Sequence, residues 1–173
     1  MSKWGMHSRT TETQARQNRM NSNFDKCLLM LLEHEGGFVD HPDDPGGMTN
    51  LGVTKKTYDS FYGADIDEKG MRNLAKSDVE PIYRKDYWLA NKCHELPHGV
   101  DWAVFDCAVN SGPSRAAKAL QKAVGAFEDG AIGPKTLEAV KASNRVDIIE
   151  EMANERKPSI DHCLTSTPLE EGG

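Results

Sequence analysis

Residues 36–53 hold seven glycines and prolines in eighteen positions, Gly36, Gly37, Pro42, Pro45, Gly46, Gly47 and Gly52. No long helix can pass through such a stretch. It must consist of turns joining short extended pieces, with "FVD" and "TNLGVT" suited to strands. Before it, Phe24, Cys27, Leu28, Leu31 and Leu32 recur at helical spacing. That spacing predicts a helix capped at Ser22 or Asn23 and stopped by Gly36-Gly37. Leu29 and Met30 widen its apolar stripe, so the helix is expected to be well buried. Glu35 then falls at its C-terminal end, where the negative pole of the helix dipole pushes a carboxyl pKa upward.

After the break the pattern is helical almost throughout. A helix is expected from near Thr54, carrying Tyr58 and Phe61. Another should open on the capping-box pattern Ser77-x-x-Glu80 and bury Val79, Ile82, Tyr83 and Tyr87. Val100, Ala103, Val104, Cys107 and Ala108 form one stripe, and Trp102, Phe105 and Val109 form a second on the same helix. A helix apolar most of the way round belongs at the centre of the molecule. "NSGP" ends it, and Pro113 starts a helix through Ala117, Leu120 and Val124. "EDGAIGPKT" makes a turn into a further Pro-started helix with Leu137 and Val140. Ile148, Ile149 and Met152 mark the last, ending before Pro158. The fold class is therefore mainly α (α+β), with a small Gly/Pro-rich hairpin after the first helix.

Bulk properties narrow the function. The net charge of −6 is unevenly spread: residues 1–23 carry +3, so the remainder carries −9. An acidic body argues against nucleic acid as the partner, because phosphate binding calls for a basic face. No apolar run approaches the ~20 residues that span a bilayer, and residues 1–23 lack the apolar core of a signal peptide. No membrane anchor is expected, and a monomer is. The leader 1–23 and the tail 164–173 lack periodicity and read as flexible. Cys27, Cys93, Cys107 and Cys163 form no CxxC pair, and all four read as reduced structural residues.

The front loop has the ingredients of glycoside chemistry. A protonated carboxyl at a helix end (Glu35), an ionised one in a wet loop (Asp44) and a hydroxyl (Thr49) would serve hydrolysis. One acid protonates the leaving oxygen, and the other activates water or stabilises the cationic transition state. Spacing alone would equally describe a helix end followed by a turn.

The motifs are more specific than the spacing. Glu35-Gly36-Gly37-Phe38, Asp44-Pro45-Gly46-Gly47 and Thr49-Asn50-Leu51-Gly52-Val53-Thr54 closely resemble the N-terminal signature of glycoside hydrolase family 108. This is the "secretion activator" or N-acetylmuramidase family of bacteria and their phages. Downstream, "FDCAVNSGPSRAAKALQKAV…DGAIGPKT" is similar to that family's C-terminal half, often described as a predicted peptidoglycan-binding domain. Together the two matches extend over roughly Phe24 to Arg156, in the family's order.

The resemblance implies a lysozyme-like fold of two lobes and hydrolysis of the N-acetylmuramic acid to N-acetylglucosamine bond. The lobes would be a catalytic N-terminal one over 24–91 and a helical, peptidoglycan-binding one over 92–163. It implies Glu35 as the catalytic acid, Asp44 and Thr49 as its partners, and Asn50 as a substrate-binding residue. The Glu, Asp, Thr order is similar to that of phage lysozymes, though the Asp-to-Thr gap is one residue shorter; Asp43 is the nearest substitute for Asp44. Asp106 and Asn110, four apart on the central helix, would form a cleft wall, with Asn110 on an N-acetyl or hydroxyl group. Inversion or retention turns on the separation of the two carboxyls. "HCLTSTPLEEGG" departs from the family, whose members continue with aromatic residues and a Gly-Trp element.

The partner implied is the glycan strand of peptidoglycan, and no cofactor or metal is required. Location follows the same reading: host cytoplasm until release to the wall or periplasm, or carriage on a virion. Two other chemistries fit less well. His34, His41, Asp43 and Asp44 match no familiar metal cage. Cys93, His94 and His98 lack an evident orienting partner for a Cys-His hydrolase. A lytic transglycosylase, a chitinase-like hydrolase and a non-catalytic wall-binding or secretion-helper protein remain as alternatives.

Overall fold

The computed structural model describes residues 23–33, 37–40 and 47–155. Residues 1–22 of the leader, Glu35, Gly36, Asp43, Asp44, His34, His41, Cys163 and the tail lie outside them.

Helix α1 (residues 23–33) buries Phe24, Cys27, Leu28 and Leu31 on one face. Its apolar stripe is narrower than expected, because Leu29 and Met30 are 50% and 47% exposed. At 100° per residue these two turn away from the i, i+3, i+4, i+7 seam, and apolar character alone cannot bring them back.

The breaker-rich stretch yields the expected hairpin. Strands β1 (Thr49–Asn50) and β2 (Val53–Thr54) pair antiparallel, with Thr49 opposite Thr54 and Asn50 opposite Val53. Val39 adds a bridge to Thr49, so "FVD" does supply an extended piece. Thr54 then caps α2 (Lys55–Tyr62) by accepting from the Thr57 N–H, and Gly63, at φ 63°, closes it. Helix α3 (Glu68–Arg72) is capped the same way by Asp67.

Helix α4 (Lys76–Ile82) begins earlier than the Ser77-x-x-Glu80 pattern predicts. Asp78 reaches back to accept from the Ala75 N–H at 2.7 Å, so the first turn is satisfied before Ser77 can cap it. Glu80 pairs instead with Arg84 at 2.9 Å. Pro81 lies within α4 and has no N–H to donate to the ladder. The chain widens just beyond it into a π-helical segment, Tyr83–Leu89. A 3₁₀ turn, Cys93–Glu95, leads to α5.

Helix α5 (Val100–Ser111) takes the central place that its two stripes predict. Val100, Val104, Phe105, Cys107 and Ala108 are buried, and it packs on α6, α8 and both irregular turns. Gly112, at φ 91°, sets the break before α6 (Pro113–Ala123). Then come α7 (Pro134–Ala142) and α8 (Arg145–Glu155). One cluster of buried apolar side chains runs from Phe24 through α4, α5 and α6 to Met152. Among the described residues, no helix is long and apolar enough to cross a membrane.

Candidate active site

Around the hairpin the chain is held by more polar contacts than its length suggests. Val39 and Thr49 exchange two backbone hydrogen bonds of 2.8 Å each. Next to Val39, the Phe38 ring lies 3.9 Å beneath the Arg72 guanidinium, a contact that fastens this segment to α3. Between the strands, Leu51 and Gly52 both have positive φ, 49° and 71°. Two-residue hairpin loops require this, but for leucine it is strained by roughly 1–2 kcal/mol. The Tyr83 hydroxyl donates to the Leu51 carbonyl at 2.9 Å, and this bond helps to hold the turn.

Asn50 points inward. It is 6% exposed, and its amide donates to the Met71 carbonyl at 2.7 Å and the Arg72 carbonyl at 3.4 Å. The amide nitrogen is thus committed to joining the hairpin to the end of α3, not presented to a ligand. Asn50→Ala should leave the Met71 carbonyl without this donor and cost about 1–2 kcal/mol. A thermal melt is the measurement, and an unchanged midpoint would show that this bond carries no weight.

Thr49 sits beside it, half-buried, its hydroxyl 3.4 Å from the Gly47 carbonyl. That is a weak contact, which leaves the hydroxyl able to turn toward water. Asp106 and Asn110 form a separate pair on α5. The Asn110 amide donates to the Asp106 backbone carbonyl at 2.8 Å and to its carboxylate at 3.1 Å, on an exposed part of the helix. Glu35 and Asp44 both precede the described hairpin in sequence and lie outside the described residues.

Cys93, the cysteine of the candidate Cys-His pair, is buried, which does not suit a nucleophile. Burial pushes the Cys27 thiol up to about 12 and the Cys93 thiol well above its ordinary value, with the Asp101 charge adding to both. A thiol held protonated is a poor nucleophile. Cys27, Cys93 and Cys107 are buried, as the sequence suggests for core cysteines.

Asp101 itself escaped the sequence reading. It is 3% exposed, yet accepts from the Gly99 and Trp102 N–H groups at 2.8 Å each, and from the Asn23 amide. Burial raises its pKa in spite of these donors. The carboxylate caps the start of α5 and ties it to α1. An acid in a helix's first turn was the available signal.

The described architecture, a mainly helical α+β fold with a two-stranded hairpin after its first helix, is the lysozyme-like class expected. Residues 28–112 match the family model described as Glycosyl hydrolase 108. Among solved structures, SagA of Brucella abortus is 42% identical over 78% of this chain and 77% of that one, with a TM-score of 0.69. No curated protein sequence matches. The chain belongs to the glycosyl hydrolase 108 family. At that level it is a glycoside hydrolase, with the family's peptidoglycan-related hydrolase or secretion-activator role.

Proposed function

We propose that the protein is a muramidase that cleaves the N-acetylmuramic acid to N-acetylglucosamine bond of peptidoglycan. Glu35 protonates the glycosidic oxygen, and Asp44, aided by Thr49, positions water or stabilises the oxocarbenium-like state. The observation that carries this reading is the order Glu35, Asp44, Thr49 within a segment matching the family model. Support also comes from the double backbone bond between Val39 and Thr49, which fixes the platform on which Thr49 stands. Asn50 serves the same platform from beneath, and Asp106 with Asn110 contributes an exposed polar edge of the glycan cleft. The N-terminal lobe, 24–91, would carry the chemistry and the C-terminal lobe, 92–163, would hold the wall.

Mass spectrometry of the soluble products from purified peptidoglycan tests the reaction. Reducing-end muramic acid is the expected product. Anhydromuramic ends would make the enzyme a lytic transglycosylase, and wall binding without products would leave a secretion helper. The family's secretion-activator label is the observation that keeps this last reading alive.

In biological terms the reading is that of a phage endolysin, a monomer made in the host cytoplasm and acting once the membrane is opened. Expression in bacteria should leave cells intact until a pore-forming protein or chloroform is added, and turbidity should then collapse. Lysis without any pore would overturn the endolysin assignment.

A further inference from the structure

A cavity of about 560 Å³ lies between α2 and the π-helical segment, lined by Lys56, Thr57, Ser60, Phe61, Lys85 and Asp86. Its α2 wall is one face of that helix, since the four residues stand at i, i+1, i+4 and i+5. Two contacts fasten α2 to the chain opposite. The Lys85 ammonium sits 4.9 Å from the centre of the Phe61 ring, and the Tyr62 hydroxyl donates to the Asp78 carbonyl at 2.9 Å. Thr57, Phe61 and Asp86 are half-buried, while Lys56, Ser60 and Lys85 reach solvent. The chemistry proposed for Glu35, Asp44 and Thr49 uses none of these side chains.

Two adjacent lysines have different fates here. Lys55 pairs with Asp59 at 2.5 Å and with Asp65, and Asp59 also accepts from the Ile66 N–H at 2.8 Å. Those carboxylates are committed, and Lys56 has no ion-pair partner among the described residues. The same holds for Lys85 and Asp86. Two ammonium groups against one carboxylate leave the lining at a formal +1, in a chain of −6. The first turn of α2 adds to the same sign. It holds no acidic residue, so the positive end of the helix dipole stands uncompensated beside Lys56 and Thr57.

We propose that this cavity binds a glycerol phosphodiester, the chemistry shared by a glycerophospholipid headgroup and the free, water-soluble diester. The Lys56 and Lys85 ammonium groups hold the two unesterified phosphate oxygens, and the Ser60 hydroxyl donates a further hydrogen bond. Asp86 accepts from the glycerol hydroxyls, and Phe61 packs against the glycerol carbons. The single negative charge of a diester balances the lining. A monoester carries nearly two charges at neutral pH, and the excess would face Asp86. A nucleic acid repeats the diester many times over, and an acidic chain repels such a polyanion. The proposal stands independently of the muramidase reading.

Titration of the full-length protein with glycerophosphoglycerol, followed in amide NMR spectra, is the direct test. The amides of Lys56, Thr57, Ser60, Lys85 and Asp86 should shift saturably. A Lys56→Gln/Lys85→Gln double variant should bind at least about tenfold more weakly. Both lysines are exposed, so this variant should keep the wild-type fold. Asp86→Asn should bind glycerol phosphate, a monoester, more tightly than wild type does, because the repelling charge is gone. Vesicles identify the source. Sedimentation with phosphatidylglycerol but not phosphatidylcholine vesicles, lost in the double variant, assigns the lipid headgroup; binding of the free diester alone assigns the soluble form. Equal affinities of wild type and double variant would overturn the site. So would glycerol phosphate binding wild type more tightly than the diester, or an oligonucleotide displacing the diester from the same lysines. Absence of saturable shifts together with absence of lysine-dependent sedimentation would also end it.

Discussion

Glu35→Gln should lower the release of soluble glycan from peptidoglycan by about 10²–10⁴-fold, the usual contribution of a positioned general acid. Glutamine keeps the size and the hydrogen-bonding reach of the glutamate but has no acidic proton to give. The leaving sugar oxygen must then depart as an alkoxide or take its proton from water, and either route raises the barrier. Because only one oxygen is exchanged for an amide, the circular dichroism spectrum and unfolding midpoint should match wild type. Asp44→Ala makes the informative contrast. If Asp44 orients water or steadies a developing cation, its loss should be severe but incomplete, because Glu35 can still protonate the leaving group. Undiminished turnover in Glu35→Gln would remove Glu35 from the chemistry, whatever the motif around it.

Most features written in local sequence match the structure, whereas several that depend on distant residues do not. Periodicity and punctuation placed the helices: Pro113 and Pro134 open α6 and α7, and Gly112 breaks the chain before the first of them. The hairpin was equally local, since the turn at Leu51-Gly52 ends β1 and the helix capped by Thr54 ends β2. By contrast, Asn50 stands in a motif that invites a ligand, yet its amide is taken by carbonyls more than twenty positions away, at Met71 and Arg72. No spacing within the motif could reveal that. Leu29 and Met30 failed for a related reason: apolarity says that a side chain can be buried, whereas the neighbour that would bury it comes from tertiary packing. The α4 start was missed because Asp78 and Ser77 are both sound capping residues, and which one acts depends on where the preceding turn ends. For the candidate acids, spacing was weak and the family motif carried the assignment.

Phe105→Ala should destabilise the protein by about 3–5 kcal/mol, the range for removing a large buried aromatic side chain. The residue is fully buried, and its ring stands within 6.5 Å, centroid to centroid, of Phe24, Tyr83, Trp88 and Trp102. Those rings belong to α1, the π-helical segment and α5 itself, so the void would open where three elements meet and none can close it by a local shift. For a chain of this size the loss corresponds to a fall in unfolding temperature of roughly 6–20 °C. Phe105→Leu keeps part of the volume and should cost only about 1–2 kcal/mol. The consequence reaches the hairpin through Tyr83, whose ring packs on Phe105 while its hydroxyl holds the strained Leu51 turn. Activity in Phe105→Ala should therefore fall at temperatures below its global melt, as the Tyr83 anchor loosens before the helices separate. Melting curves recorded beside wall-lysis rates check both statements. A midpoint within about 2 °C of wild type would refute the three-way junction, and activity that tracks the melt alone would refute the link through Tyr83.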